Sequence, residues 1–124
     1  MTIKIEIKGT KEVEDFLKAK SKEAKLGSSK GINKASFFMQ GEVKLSIAGQ
    51  RAELTSVDNG RFLNSVDITT SEDTGVIFTD IDYAKFLEYG TSKFNARGHF
   101  RNSKFRNQDK VKEIIETEVK SGIK

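Results

Sequence analysis

Few residues in this chain carry the side chains that catalysis or metal binding needs. The sequence has no cysteine and one histidine, His99, which excludes a thiolate nucleophile, a cysteine-ligated metal and a histidine-only metal site. The acidic pairs Glu72–Asp73 and Asp80–Asp82 fall in predicted turns or helix caps, whereas glycoside hydrolysis needs two carboxylates across a cleft. No glycine pattern matches GxGxxG or a P-loop. We therefore expect no catalytic activity, no cofactor and no metal, and we interpret His99 as a surface or interface side chain.

A basic and aromatic segment is the one feature that suggests binding. Between Tyr89 and Gln108 the chain has no acidic residue. The segment 93–106 could bind single-stranded nucleic acid, because bases stack on aromatic rings while cations pair with phosphates. It could equally form a protein interface, where arginine and phenylalanine are enriched. The residues alone leave both functions open. Five cations alternate with three phenylalanines: Lys93, Phe94, Arg97, Phe100, Arg101, Lys104, Phe105 and Arg106.

Length and composition indicate one small domain, residues 1–124, that associates with partners. The 124 residues carry a net charge of +4, no proline, 32% charged residues and only 35% hydrophobic residues. That hydrophobic fraction is low for a globular monomer, so we expect neighbouring subunits to cover part of the surface. No apolar run reaches the roughly 20 residues of a membrane span. The N-terminal sequence alternates charge with isoleucine, which is not typical of a signal peptide.

The first half of the chain predicts one strand followed by helices. Ile3, Ile5 and Ile7 alternate with polar residues, as in a half-buried strand. A helix is predicted from Thr10 to about Leu26, and a second one between Gly31 and Gly49. The sequence Gly27-Ser28-Ser29 predicts a break between them, although the two helices could also run nearly continuously. Gly41 lies inside the second helix, where we interpret it as a close helix contact.

The second half predicts a hairpin, a short helix and a C-terminal helix. Residues 50–63 lack a period and are predicted as a loop with a short helical turn around Arg61–Leu63. Alternation at 66–70 and 76–78 about a turn-rich 71–75 predicts a β-hairpin. Helical spacing returns at 80–90, residues 91–107 are aperiodic, and a last helix begins near Asp109. The predicted class is α+β: a small antiparallel sheet, formed by the N-terminal strand and the hairpin, packed against the helices.

Three segments resemble motifs of one family. Residues 57–66, VDNGRFLNSV, resemble the signature (V)DTGRLxxSI, with Asn59 in place of threonine. Residues 82–91, DYAKFLEYGT, resemble YAxxxExGT, and residues 96–101 lie where the family has pARPFLRPA, with Gly98 and Asn102 in place of its prolines. The family consists of the small neck proteins of long-tailed bacteriophages, which join head and tail or complete the tail. The resemblance covers nearly the whole chain, in the same order and spacing.

The resemblance implies a non-enzymatic virion protein encoded by a virus or prophage. Such a protein would assemble in the host cytoplasm as a hexameric or dodecameric ring in the neck of the virion, with DNA passing through the lumen. Its partners would be the connector and the tail-tube or tail-terminator proteins, with non-specific DNA contact in the channel. The expected subunit or partner contacts are Tyr83, Glu88, Gly90, Thr91, Arg97, Phe100 and Arg101; Asp58, Gly60 and Arg61 would hold a turn, and Lys93, Lys104 and Arg106 would face DNA.

The middle motif also makes a local prediction. Tyr83, Phe86 and Leu87 are spaced to pack the short helix on the sheet, which would leave Glu88 pointing away from it. Gly90 is placed to end that helix in a left-handed conformation. The alternative function is a nucleic-acid-binding module that uses residues 93–106. Binding of DNA by the isolated monomer, weakening steeply with salt, would favour that alternative.

Overall fold

The predicted α+β class is confirmed by a computed structural model, which describes residues 3–8, 22–53, 60–71, 74–92 and 95–122. Most of the first predicted helix lies outside these residues. Within them, three strands form one antiparallel sheet, with a long helix packed against it. The elements are β1 (Ile3–Lys8), α1 (Lys22–Ile47), α2 (Arg61–Ser65), β2 (Asp67–Thr70), β3 (Thr74–Thr79), α3 (Ala84–Tyr89), α4 (His99–Arg106) and α5 (Gln108–Gly122).

The sheet has the order β1-β3-β2, so the second strand of the predicted hairpin is its centre. The register places Ile5 of β1 and Ile68 of β2 on either side of Ile77. Gly75, Ile77 and Thr79 are buried on the face that β1 lines with isoleucine, whereas Val76 and Phe78 are half-buried on the other face. A Cβ on Gly75 would overlap the Ser36 hydroxyl, which shows how closely α1 approaches the sheet.

Helix α1 runs without interruption from Lys22 to Ile47, so the break predicted at residues 27–29 is wrong. The glycines there serve packing against α5. A Cβ on Gly27 would lie 2.7 Å from the Glu118 carbonyl oxygen, and one on Gly31 would lie 2.8 Å from the Ile115 Cα. The close contact predicted at Gly41 is also wrong among the described residues, because a Cβ there would have no atom within 4 Å beyond its chain neighbours and the backbone of its own helix.

The buried core is assembled from both sheet and helices. Its largest buried apolar side chains come from α1, β3, α4 and α5. Each such side chain, once removed from water, contributes roughly 1.5–3 kcal/mol. The core therefore depends on elements far apart in the sequence, and no described helix is peripheral to it. The largest of these side chains are Phe100, Ile32, Met39, Ile47, Ile77 and Ile115.

Residues 91–107, predicted to be aperiodic, contain helix α4 and thus correct the expectation of a long loop. Gly98 precedes the helix with φ 59°, and Asn107 separates it from α5 with φ −110°. The buried positions His99, Phe100, Ser103 and Asn107 follow helical spacing. The eight residues of α4 are too few for that period to stand out in a charged sequence.

Candidate functional site

Glu88, which was predicted to point away from the sheet, is buried, with 2% of its surface exposed. Its two carboxylate oxygens accept hydrogen bonds from the backbone N–H groups of Phe100 at 2.9 Å and Arg101 at 3.0 Å. These donors lie in the first turn of α4, where N–H groups have no partner within the helix. A negative charge is also favoured there by the helix dipole. Glu88 therefore fastens α3 to the start of α4.

Gly90 shapes the return of the chain from α3 to α4. Its φ of 82° is positive as predicted, but its ψ of 174° is extended, so the predicted left-handed helical conformation is wrong. Its N–H donates to the Phe86 carbonyl at 2.8 Å. A Cβ at this position would lie 2.6 Å from the Ala96 nitrogen. The Arg97 N–H then donates to the Leu87 carbonyl at 2.8 Å. Only glycine combines this backbone conformation with so close an approach.

Aromatic side chains bring the three motif-like segments together. The Phe62 ring packs edge-on against Tyr83, with ring centroids 6.1 Å apart, and against His99 at 5.9 Å. Phe62 belongs to the first segment, Tyr83 to the second and His99 to the third. The Arg61 guanidinium lies 5.7 Å from the centre of the Tyr83 ring. Gly60 allows this arrangement because it precedes α2 with φ 80°.

A polar chain runs from His99 to the surface. Ser46 Oγ lies 2.8 Å from His99 Nδ1 and donates its proton to Glu53, since an ionised carboxylate can only accept. The hydroxyl oxygen then accepts from Nδ1–H, so Nδ1 of His99 carries a proton. Arg106 closes the chain with two hydrogen bonds to Glu53, at 3.0 and 3.1 Å. We call His99, Ser46, Glu53 and Arg106 the buried polar chain.

The pKa values within the buried polar chain keep His99 neutral and Glu53 ionised. Burial lowers the pKa of His99 to about 4, with the Arg97 charge acting in the same direction and Glu53 opposing it. Burial by itself would raise the pKa of Glu53. Hydrogen bonds from Arg106, Ser46 and Asn102, together with the Arg106 charge, nevertheless hold that pKa below its ordinary value.

The buried polar chain has the residue types of a hydrolase triad in a different order. In such a triad the imidazole lies between the acid and the hydroxyl and takes the hydroxyl proton. Here the hydroxyl of Ser46 lies between the acid and the imidazole, so its proton is held by Glu53 and not by His99. Both Ser46 and His99 are fully buried, which also corrects the expectation of a surface histidine. The arrangement joins α1 to α4.

The expected partner-contact residues divide into a buried and an exposed group. Glu88 and Phe100 are buried and connect elements of the same chain. Tyr83, Gly90 and Arg97 are half-buried, whereas Thr91 and Arg101 are exposed. Among the residues expected to hold the turn, Gly60 is half-buried and Arg61 exposed. Among those expected to face DNA, Lys104 is exposed and Arg106 pairs with Glu53. Asp58 and Lys93 lie outside the described residues.

Three features of the site were not predicted from the sequence. Ser46 continues the buried stripe of α1 beside Val43 and Ile47, so helical spacing could have identified it as buried. Glu53 follows α1 in an aperiodic stretch, where no sequence signal distinguishes it from a solvated acid. The outward orientation of Phe86 was also missed: its ring is 44% exposed, although its spacing predicted packing on the sheet.

The exposed side of α3 and α4 presents aromatic rings with cations over them. The Arg101 guanidinium lies 5.5 Å from the centre of the Tyr89 ring, and the Lys85 ammonium lies 5.1 Å from the Phe86 ring. Tyr89 is 56% exposed. In the part of the chain that the structure describes, neither Lys85 nor Arg101 forms an ion pair. We call Lys85, Phe86, Tyr89 and Arg101 the aromatic–cationic patch.

Over residues 3–8, 22–53, 60–71, 74–92 and 95–122, no group of three or more His, Asp or Glu side chains is placed to hold a metal ion. Within the same ranges, no helix has the length and apolar character to cross a membrane. Comparisons of the chain with protein-family models, with curated proteins and with solved structures find no match.

Proposed function

We propose that this chain is a non-enzymatic structural protein of the head–tail junction of a long-tailed bacteriophage, where it assembles as a ring around the DNA channel. In this proposal the protein is a neck or tail-completion component of the virion. Its neighbours are copies of itself together with connector and tail-tube or tail-terminator proteins. The proposal starts from the resemblance of segments 57–66, 82–91 and 96–101 to the neck-protein motifs.

The convergence of the three segments on one cluster is the observation that supports this function. Phe62 contacts both Tyr83 and His99, and Glu88 binds the first turn of α4. Residues 37 positions apart along the chain, Phe62 and His99, thus form one structural unit, as expected if the motifs preserve a common framework. Motif residues that are buried in this unit, such as Glu88 and Phe100, would set the shape that a subunit presents to its neighbours.

The nucleic-acid alternative has less support from the described part of segment 93–106. Phe100 is buried and Arg106 is paired with Glu53, so these two side chains are occupied within the chain. A stacking groove needs exposed rings beside available cations. Phe105, Lys104 and Arg101 are exposed and keep a role in DNA contact as a prediction.

The experiment that tests the proposal is the oligomeric state of the purified chain. We expect native mass spectrometry and negative-stain electron microscopy to show closed rings of six or twelve copies. A protein that stays monomeric at high concentration, and also fails to assemble with tail or connector proteins, would contradict the proposal. A salt titration of DNA binding addresses the alternative: tight binding by the monomer, with log affinity falling steeply in log salt, would favour it.

A further inference from the structure

The aromatic–cationic patch exposes two large aromatic rings to solvent. Phe86 and Tyr89 are both about half-exposed, although large aromatic side chains are the residues that most favour burial at interfaces. Glu88 lies between them in the sequence and is used inside the protein, so the two rings are held on a fixed helix. The patch is therefore presented on a rigid support, which lowers the entropy lost on binding.

The patch carries positive charge that the described chain does not neutralise. The Arg101 and Lys85 side chains rest on the two rings and form no ion pair among the described residues. Stacking on Tyr89 leaves the edge of the Arg101 guanidinium able to donate to a planar acceptor such as a carboxylate. A surface that fits this patch thus presents carboxylates to the two cations.

The same chain offers an acidic surface on another element. Asp109 and Glu116 lie two helical turns apart on α5, with Glu113 between them. Lys110 approaches Glu113 at 3.8 Å, whereas Asp109 and Glu116 form no ion pair with any described residue. We call Asp109, Glu113 and Glu116 the acidic stripe; among the described residues, Glu113 is its only member with an ion-pair partner. An exposed basic patch and this acidic stripe on one chain are complementary, so a second copy can supply the partner for each.

We propose that the aromatic–cationic patch of one subunit docks on the acidic stripe of α5 in a second copy of the chain. The two surfaces lie on different elements, so the contact is heterologous and propagates from subunit to subunit, as a ring requires. This inference rests on the proposed ring assembly and names its contact. Tyr89 and Arg101 supply the buried anchor, while Asp109 and Glu116 supply the opposing charges.

Charge reversal with rescue tests the contact in the full chain. We expect Arg101→Glu, and separately Glu116→Arg, to weaken association at least about tenfold, as measured by analytical ultracentrifugation. Combining the two should restore a large part of it. Tyr89→Ala and Arg101→Ala should weaken association without adding a charge, which guards against a folding defect in Arg101→Glu. The matched control is Lys30→Glu, which reverses an exposed charge on α1, an element that carries neither of the two surfaces.

The outcomes separate this inference from the proposed function. If the unaltered chain forms rings and the patch variants assemble equally well, the contact is wrong and the ring proposal stands. If the unaltered chain forms no rings under any condition, including with connector and tail proteins, both are wrong. If the patch variants lose binding to single-stranded DNA while ring assembly is unchanged, the patch is a nucleic-acid surface and the inference is overturned.

Discussion

At the scale of single residues, Glu88 illustrates how a charged side chain becomes part of the core. It lies on a helix of six residues, directly after Phe86 and Leu87. Because the helical spacing predicts that these two apolar residues pack on the sheet, it predicts that Glu88 lies off the packed face. The carboxylate is buried because two backbone donors at the start of α4 compensate its desolvation. The donors come from residues 12 and 13 positions further along the chain. A partner at that separation is set by the turn at Gly90 and not by local spacing.

Removing the Glu88 carboxylate should destabilise the protein. Glu88→Ala leaves two N–H groups without their charged acceptor, and hydrogen bonds to charged groups contribute roughly 1.5–3 kcal/mol each. We expect urea denaturation to show a loss of about 3 kcal/mol for Glu88→Ala and about half of that for Glu88→Gln, which keeps one acceptor oxygen. Glu113→Ala is the matched control on an exposed helix face, with an expected change within about 0.5 kcal/mol. Equal stability of Glu88→Ala and Glu113→Ala would contradict this role.

The neutral His99 should make stability depend on pH in a defined window. Its pKa falls from the ordinary 6.5 to about 4 in the folded chain, so between these values the unfolded state binds the extra proton. The stabilisation is complete above about pH 6.5, decreases as the pH is lowered, and is lost near pH 4; it amounts to about 3 kcal/mol at most. The pKa of Glu53 is lowered from its ordinary value of 4.5 in the folded chain. Its contribution to stability is therefore lost only as the pH falls below about 4.5.

Replacing His99 provides the check on that pH window. His99→Asn keeps a donor near Ser46 but cannot titrate, so its stability should be lower at pH 7 and nearly constant between pH 6.5 and 5. Urea denaturation at half-unit pH steps measures how the free energy of unfolding changes with pH in the unaltered chain and in the variant. His99 is the only histidine in the sequence, so no other histidine contributes to the difference. If the free energy of unfolding of the variant still decreased with falling pH as steeply as that of the unaltered chain, another group would be responsible.

At the scale of elements, the packing of α1 against α5 depends on two glycines. Gly27 lies against residues 118 and 119, and Gly31 lies against residue 115, so the helices run antiparallel. Lys34 on α1 and Glu118 on α5 also form an ion pair at 2.5 Å between these helices. Since a Cβ at either glycine would meet backbone atoms, the glycines set the distance between the helices. Their low helix propensity is offset by this close contact.

A matched pair of alanine substitutions in α1 separates the effect of close helix–helix packing from the effect of helix propensity. Gly31→Ala would place a Cβ 2.8 Å from the Ile115 backbone, so we expect a loss of about 1–3 kcal/mol in the free energy of unfolding. Gly41→Ala occupies open space in the same helix and should gain roughly 0.5–1 kcal/mol. Thermal denaturation followed by circular dichroism gives both values. Stabilisation by both substitutions would refute the close contact.

At the scale of the whole molecule, one core joins the first described strand to the last helix. Ile3 in β1 and Val119 in α5 belong to the same buried cluster. The buried polar chain and the Glu88 contact add connections from α4 to α1 and α3. The framework is therefore shared by all the described elements, and the aromatic–cationic patch is carried on its surface.

This shared core predicts that the chain unfolds in one step. Far-ultraviolet circular dichroism follows the helices, and tyrosine fluorescence follows Tyr83 and Tyr89 at the two ends of α3. Both signals should give the same urea midpoint. Removing residues 108–124 exposes the α1 face that Ile115 and Val119 cover, so the truncated chain should lose the transition in both probes. Two separate midpoints in the intact chain would indicate independent units.

The sequence by itself determined the elements with a strong period: the isoleucine strand, the hairpin, the second half of α1 and the C-terminal helix. Their patterns are local consequences of burying one face. Tertiary structure decided the rest, because the cause lay in distant residues. Gly27 and Gly31 do not break α1, since α5 packs against them, and Glu88 turns inward because α4 offers unpaired donors. Which aromatic rings stay at the surface, and hence where a partner would bind, was likewise decided by packing between elements.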